Sequence, residues 1–169
     1  MTATRADLHT DRPTVADGAA LWRIAKDSNA LDLNSSYSYL LWCRDFAGTS
    51  AVVRDERGEP VGFVTGYIPP DRPGTLLVWQ VAVDAAQRGR GLAARLLDGL
   101  TERVAAEYDG LTAIETTITP GNTASERLFT SYAERHGATV ERTVLFEAGD
   151  FPDGPHDPEV LYRIGPLSV

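Results

Sequence analysis

Apolar residues recur along this chain with two different spacings. Within 18–28, Leu21, Trp22, Ile24 and Ala25 fall on one side of a helix, and Asp17 stands where an N-cap belongs. A loop over 29–34 leads to a second helix that Asn34 or Ser35 can cap. Its apolar stripe is read as Tyr37, Leu40, Leu41 and Cys43 or Arg44, at spacings of three and four. The pattern then becomes strand-like. Residues 50–55 and 60–68 read as strands, and Glu56-Arg57-Gly58-Glu59 between them is a hairpin signal. Proline and glycine crowd 69–74 and break the chain before an apolar strand over 75–83. From Leu92 the helical period returns, with Leu92, Leu96, Leu97, Leu100 and Val104 on one side as far as about Tyr108. Residues 113–119 form a further strand, ended by Pro120-Gly121-Asn122. A helix from Thr123 carries Ala124, Leu128, Phe129 and Tyr132 until His136-Gly137 closes it. Residues 140–146 and 160–164 are the last strands, and the three prolines and two glycines of 149–158 make the stretch between them a long loop.

This order predicts an α/β chain of the α+β kind. The expected organisation is a mostly flexible N-terminus over 1–13, with a short strand near 8–12, and one domain over 14–169, without repeat or linker. Composition agrees: 169 residues, 43% of them hydrophobic, can bury a sizeable core. Sixteen basic against twenty-four acidic residues give a net charge of −8, which repels nucleic acid and suits a cationic small molecule. Cys43 is the single cysteine. It excludes an internal disulfide, lies beside Trp42 in an apolar stretch as a core thiol, and fits a reducing cytoplasm. No apolar run approaches the roughly 18 residues of a membrane helix, so a soluble protein is expected. His9, His136 and His156 are far apart and make no metal-ligand spacing, so no metal is expected.

The candidate chemistry begins at residues 87–93, Gln-Arg-Gly-Arg-Gly-Leu-Ala, between the strand over 75–83 and the helix from Leu92. Glycines at 89 and 91 allow unusual backbone angles and close ligand approach, the next helix opens with unpaired N–H groups, and Arg88 and Arg90 add positive charge. A strand, glycine turn and helix of this kind bind phosphate. The turn lacks the Gly-Lys-Ser/Thr of a P-loop, and the only lysine is Lys26. A dinucleotide fingerprint would put Ala94 at its third glycine and find Glu107 or Asp109 nearby, but that motif opens a βαβ unit, whereas here a hairpin precedes it. A glycine turn without ligand is the competing reading.

Arg88-Gly89-Arg90-Gly91-Leu92-Ala93, following Val81-Ala82-Val83, is an R/Q-x-x-G-x-G/A signature and resembles the GCN5-related N-acetyltransferases (GNAT). The resemblance covers nearly everything after residue 10. It narrows on 31–39, Trp42-Cys43-Arg44-Asp45-Phe46, Trp79-Gln80-Val81, Glu115-Thr116-Thr117-Ile118-Thr119-Pro120 and 155–162, which look like the L-2,4-diaminobutyrate acetyltransferases of ectoine biosynthesis. The resemblance implies a GNAT fold: a central mixed, twisted sheet of about six to seven strands, about four helices, and acetyl-CoA at a splayed parallel strand pair. It implies acetyl transfer from acetyl-CoA to the 4-amino group of L-2,4-diaminobutyrate, giving the N4-acetyl product and CoA, and a homodimer. Val81, Ala82 and Val83 should bind the pantetheine arm and Arg88 to Ala93 the pyrophosphate, with Val81 also polarising the thioester carbonyl. Asn122, Ser125 and Phe129 match the second CoA-contacting segment. Phe129 departs from the tyrosine that many relatives use to protonate the thiolate, and Tyr132, one turn on, is either its substitute or a core residue.

Amine chemistry adds its own demands. A primary amine with a pKa of about 10.4 must lose a proton before it attacks. Glu115 interrupts an apolar strand, and alternation puts Glu115 and Thr117 on one face. If that face lines the acceptor pocket, the substrate ammonium partners Glu115, which takes the proton directly or through water; an exposed strand face is the other reading. Asp32 is expected to hold the second amine or to be a plain loop acid. Tyr37 is expected to face substrate and Tyr39 the core; Trp79 either walls the pocket or packs in the core. His156 and Glu159 belong to the late loop and are expected to contact substrate, a lone surface histidine being the other reading of His156. Two other functions remain open on these residues: an acetyltransferase for a different amine, such as a polyamine or amino sugar, and a non-catalytic acyl-CoA sensor.

Overall fold

The structure is a computed structural model that describes residues 8–29 and 31–169. In chain order it contains β1 (Thr10–Asp11), α1 (Gly18–Ser28), α2 (Ser36–Asp45), β2 (Ala51–Arg54), β3 (Pro60–Tyr67), β4 (Thr75–Val83), α3 (Leu92–Glu107), β5 (Ala113–Ile118), α4 (Thr123–Arg135), β6 (Thr139–Phe146) and β7 (Glu159–Gly165). The strands form a seven-stranded sheet in the order β1-β2-β3-β4-β5-β7-β6, with β4 and β5 parallel and β1/β2, β2/β3, β5/β7 and β6/β7 antiparallel. This is the expected mixed sheet with four helices. The mobile N-terminus read over 1–13 lies outside the described residues as far as residue 7; beyond it, the short strand read near 8–12 is β1. Two compact units share the chain, one from the residues up to Gly66 with Gln80–Arg103, the other from Tyr67–Trp79 with Val104–Val169.

In the first unit, Leu21, Ile24 and Ala25 of α1 meet Tyr39 and Cys43 of α2, Val52 of β2, Phe63 of β3 and Ala82 of β4 in one buried cluster. The α1 stripe is the one the spacing predicts, but that of α2 is not. Tyr37 is 66% exposed and Leu40 39%, while Tyr39 and Cys43, four residues apart, face inward. Tyr39 can be the buried aromatic because its hydroxyl donates to Gln80 Oε1 at 2.9 Å and its ring meets Phe63 edge-on at 6.3 Å. Burial first, then the nearby Asp17 charge, push the Cys43 thiol up to about 11, so it is an unreactive core group as expected.

Asp17 is the N-cap of α1 by position, but its side chain does not cap that helix. It accepts from Arg54 Nη1 and Nη2 at 2.8 and 2.9 Å and from the Thr14 N–H at 2.7 Å. Burial opposes its ionisation, yet the Arg54 hydrogen bonds, the Thr14 N–H and the Arg54 charge outweigh it and leave the carboxyl below its ordinary 3.8. A carboxyl lowered by folding stabilises the fold fully above its unfolded value and loses that contribution as pH falls through the native one. Asp17→Asn is therefore expected to cost about 3 kcal/mol near neutral pH. The gap to wild type should narrow below pH 3.8. Urea unfolding at several pH values measures both.

In the second unit, β5 pairs with β4 from Thr75↔Ala113 to Val78↔Thr116 and with β7 from Ile114↔Ile164 to Ile118↔Val160; β6 adds to the far side of β7. Alternation sorts this sheet into two faces. Ile114, Thr116, Ile118, Tyr162 and Ile164 lie on the α4 side, where the Tyr162 hydroxyl donates to Glu126 at 3.4 Å. Glu115, Thr117, Glu159, Leu161 and Arg163 lie on the other, joined by Leu77 and Trp79 of β4. The α4 side is closed: Ile114 and Ile164 are 0% exposed. Thr117, Trp79, Glu159 and Leu161 are only half-buried.

Candidate functional site

The glycine turn takes the backbone its residues predict. Gly89 has φ 79° and Gly91 φ 70°, both in the left-handed region that side chains resist. No atom lies within 4 Å of where a Cβ would stand at either position, so the space over the turn is open to a ligand. Arg95 N–H donates to the Gly91 carbonyl at 3.1 Å, so the N–H groups of Leu92, Ala93 and Ala94 precede the first bond of α3. Arg88 and Arg90 are exposed, and Arg90 Nη1 donates to Gln87. Free donors, a helix N-terminus and two cations fit the doubly charged pyrophosphate of a CoA ester.

Ahead of the turn, β4 supplies Val81, Ala82 and Val83, of which Ala82 is buried and the others half-buried. Gln80, which the sequence reading quoted but gave no role, is 5% exposed and uses both ends of its amide. Its Oε1 accepts from Tyr39, and its Nε2 donates to the Asp32 carbonyl at 3.0 Å. That pins the Asp32 loop to β4 while leaving the Asp32 side chain exposed. A glutamine inside Val78-Trp79-Gln80-Val81-Ala82-Val83 was the available signal, because a buried amide must find partners. Tyr37 is exposed on the first turn of α2, whereas Tyr39 is core.

In the second unit, Glu115 is only 5% exposed. The expectation gave it the substrate ammonium as partner; the folded chain gives it two guanidinium groups instead. Arg163 Nη1 donates to Oε1 at 2.8 Å and Arg72 Nη2 to Oε2 at 3.4 Å. Sequence reasoning missed both arginines, since they lie 43 and 48 residues from Glu115 and converge only through the β5–β7 register and the turn before β4. Two residues along β5, Thr117 shares the face, and Glu159 lies at the start of β7 on the same side. Glu159 has no ion-pair partner among the described residues.

Asn122 caps α4, its Oδ1 accepting from the Ser125 N–H at 3.2 Å. Phe129 is 3% and Tyr132 0% exposed; the Tyr132 ring lies 4.2 Å from that of His136. Tyr132 is thus the core residue of the two readings. His156 stacks on Phe151 with ring centroids 3.7 Å apart, and its Nδ1 meets the Asp157 carbonyl, so the late loop is ordered by aromatic contact. The described residues contain no group of three or more His, Cys, Asp and Glu able to hold a metal, and no described helix is long and apolar enough to cross a membrane.

Residues 18–133 match the model of the acetyltransferase (GNAT) family. Over 179 residues the chain is 74% identical to an L-2,4-diaminobutyric acid acetyltransferase of Streptomyces avermitilis, covering 99% of each chain. A protein of the same name from Streptomyces coelicolor is also 74% identical, across 100% of this chain and 99% of that one. Among solved structures, the diaminobutyrate acetyltransferase of Paenibacillus lautus, in complex with its substrate L-2,4-diaminobutyric acid and coenzyme A, superposes with a TM-score of 0.89 at 40% identity. It covers 96% of this chain and 97% of that one.

Proposed function

Because the chain belongs to the GNAT acetyltransferases and, within them, to the L-2,4-diaminobutyric acid acetyltransferases, we propose that it moves an acetyl group from acetyl-CoA to the 4-amino group of L-2,4-diaminobutyrate. The product is N4-acetyl-L-2,4-diaminobutyrate, a step of ectoine biosynthesis. The observation that carries this reading is the identity with named diaminobutyrate acetyltransferases over essentially the whole chain, joined to a turn with left-handed Gly89 and Gly91 ahead of α3.

Acetyl-CoA supplies the activated thioester. In the first unit, Arg88 to Ala93 hold its pyrophosphate and Val81 to Val83 present backbone groups to its arm. In this reading the Val81 amide faces the carbonyl oxygen, where negative charge grows during attack. No side-chain acid is required for the departing thiolate, whose pKa is about 8.5, which accords with phenylalanine at 129 and a buried Tyr132. In the second unit, Trp79 and Thr117 line the amine's path and His156 contacts the substrate from the late loop.

Glu115 has both oxygens engaged by arginines and holds them rather than receiving a proton. We place proton acceptance on Glu159, half-buried on the same face and unpaired. We also propose a cytoplasmic homodimer. Its support is the outermost strand β6, which exposes Val144, Leu145 and Phe146 at 42–51%. Light scattering after size exclusion measures the dimer.

The function is tested by incubating the protein with acetyl-CoA and L-2,4-diaminobutyrate, following thiol release, and assigning the acetylated nitrogen by NMR. N4 product is expected; no thiol release overturns the reading. For the turn, Gly91→Ala forces a side chain to φ 70°. That strain of about 1–2 kcal/mol is expected to weaken acetyl-CoA binding about tenfold in calorimetry.

A further inference from the structure

We infer that Arg163, with Arg72 beside it, receives the substrate's α-carboxylate and so selects an amino acid over a simple diamine. The inference rests on the proposed reaction and goes beyond it by naming the group that recognises the acid end. Three charged side chains meet on the half-open face of the second unit. Buried Glu115 is shared by two guanidinium groups, one at each of its oxygens. Asp71, 76% exposed and 3.2 Å from Arg72 Nη1, and the exposed Glu141 paired opposite Arg163 on β6 add two negative charges on the solvent side, so it is the open edge of Arg163, not a surplus of charge, that offers a site.

Arg163 is held by one edge only. Nη1 donates to Glu115 Oε1 at 2.8 Å and to Thr75 Oγ1 at 3.3 Å, while Nε and Nη2 have no partner among the described residues. The side chain is 40% exposed. A cavity of about 270 Å³ bordered by Thr112, Thr139, Glu141 and Gly165 opens beside it. A guanidinium fixed through one nitrogen and open along Nε–Nη2 presents the fork that binds a carboxylate in bidentate fashion. Glu115 does for it what a supporting ligand does in any positioned site: it removes the rotamer freedom that binding would otherwise have to freeze.

The reach fits the substrate. Glu115 and Arg163 are register partners, and Thr117, on the same face, is two residues further along β5. Two strand residues span about 6.6–6.8 Å. The four bonds from the 4-amino nitrogen of extended diaminobutyrate to its carboxyl carbon span roughly 5 Å, and the carboxylate oxygens reach further. An amine beside Thr117 and Trp79 therefore brings its carboxylate to the arginine row.

The test compares L-2,4-diaminobutyrate with 1,3-diaminopropane, the same skeleton without the carboxylate, in the full-length protein. Arg163→Lys keeps a positive charge for Glu115 but loses the fork. It is expected to lower the ratio of kcat/KM for diaminobutyrate over diaminopropane by about tenfold or more, through KM for diaminobutyrate. Arg72→Gln, at a more exposed position, should lower the same ratio by a smaller factor and carries the test if Arg163→Lys does not fold. A ratio unmoved in the folded variants overturns the inference. Absence of wild-type turnover on diaminobutyrate would overturn the proposed reaction instead, so the two failures are distinguishable.

Discussion

Replacing Glu159 by glutamine is expected to lower kcat on L-2,4-diaminobutyrate by roughly 100- to 1,000-fold, the usual contribution of a positioned acid or base. Glutamine has the same shape and can still hydrogen-bond, but it cannot take a proton. Substrate binding should hardly change, so KM stays within a few-fold. The pH profile provides the sharper reading. Without a base, the variant depends on amine already deprotonated in solution, and its rate should climb about tenfold per pH unit toward the amine's pKa of about 10.4. Wild type should level off earlier. A variant retaining wild-type kcat and profile would mean that solvent alone accepts the proton.

The second large effect is expected at Glu115, on stability. Glu115→Ala leaves Arg163 and Arg72 facing each other without their shared counter-ion, on a side chain that is 6% exposed. Breaking a wholly buried pair costs roughly 3–5 kcal/mol. Here the two guanidinium groups are 40–44% exposed and partly solvated, so about 2–3 kcal/mol is the better expectation. For a chain of this size that lowers Tm by about 5–10 °C. Glu115→Gln, which keeps two acceptor sites on its oxygen, should lose less stability and retain most of its kcat. A collapse of kcat in Glu115→Gln at unchanged Tm would return the proton-accepting role to Glu115.

Local pattern carried most of the fold. The α1 stripe, the leucines of α3, the hairpin around Gly58 and the bounds of β4 follow from short-range spacing, because each depends on residues within a few turns of one another. The α2 face did not follow. The stripe of Tyr37, Leu40 and Leu41 does not hold, while Tyr39, expected in the core, is buried there with its hydroxyl donating to Gln80, 41 residues away. Asp17 was legible as a residue at a helix start, but not as the partner of Arg54, 37 residues distant.

The site divides in the same way. Arg88, Gly89, Arg90 and Gly91 announce a left-handed glycine turn ahead of a helix in four consecutive residues, since what is written there is backbone conformation. Residue alternation alone placed Glu115 and Thr117 on one face. Alternation cannot say what that face meets. The β5–β7 register sets Arg163 directly opposite Glu115, and the turn before β4 brings in Arg72. By itself, the sequence determined the elements, the glycine turn and the family, because all three are written in neighbouring residues. Only the tertiary structure decided which charges meet. An ion pair depends on distance in space, and strands far apart in sequence acquire that distance through their pairing register.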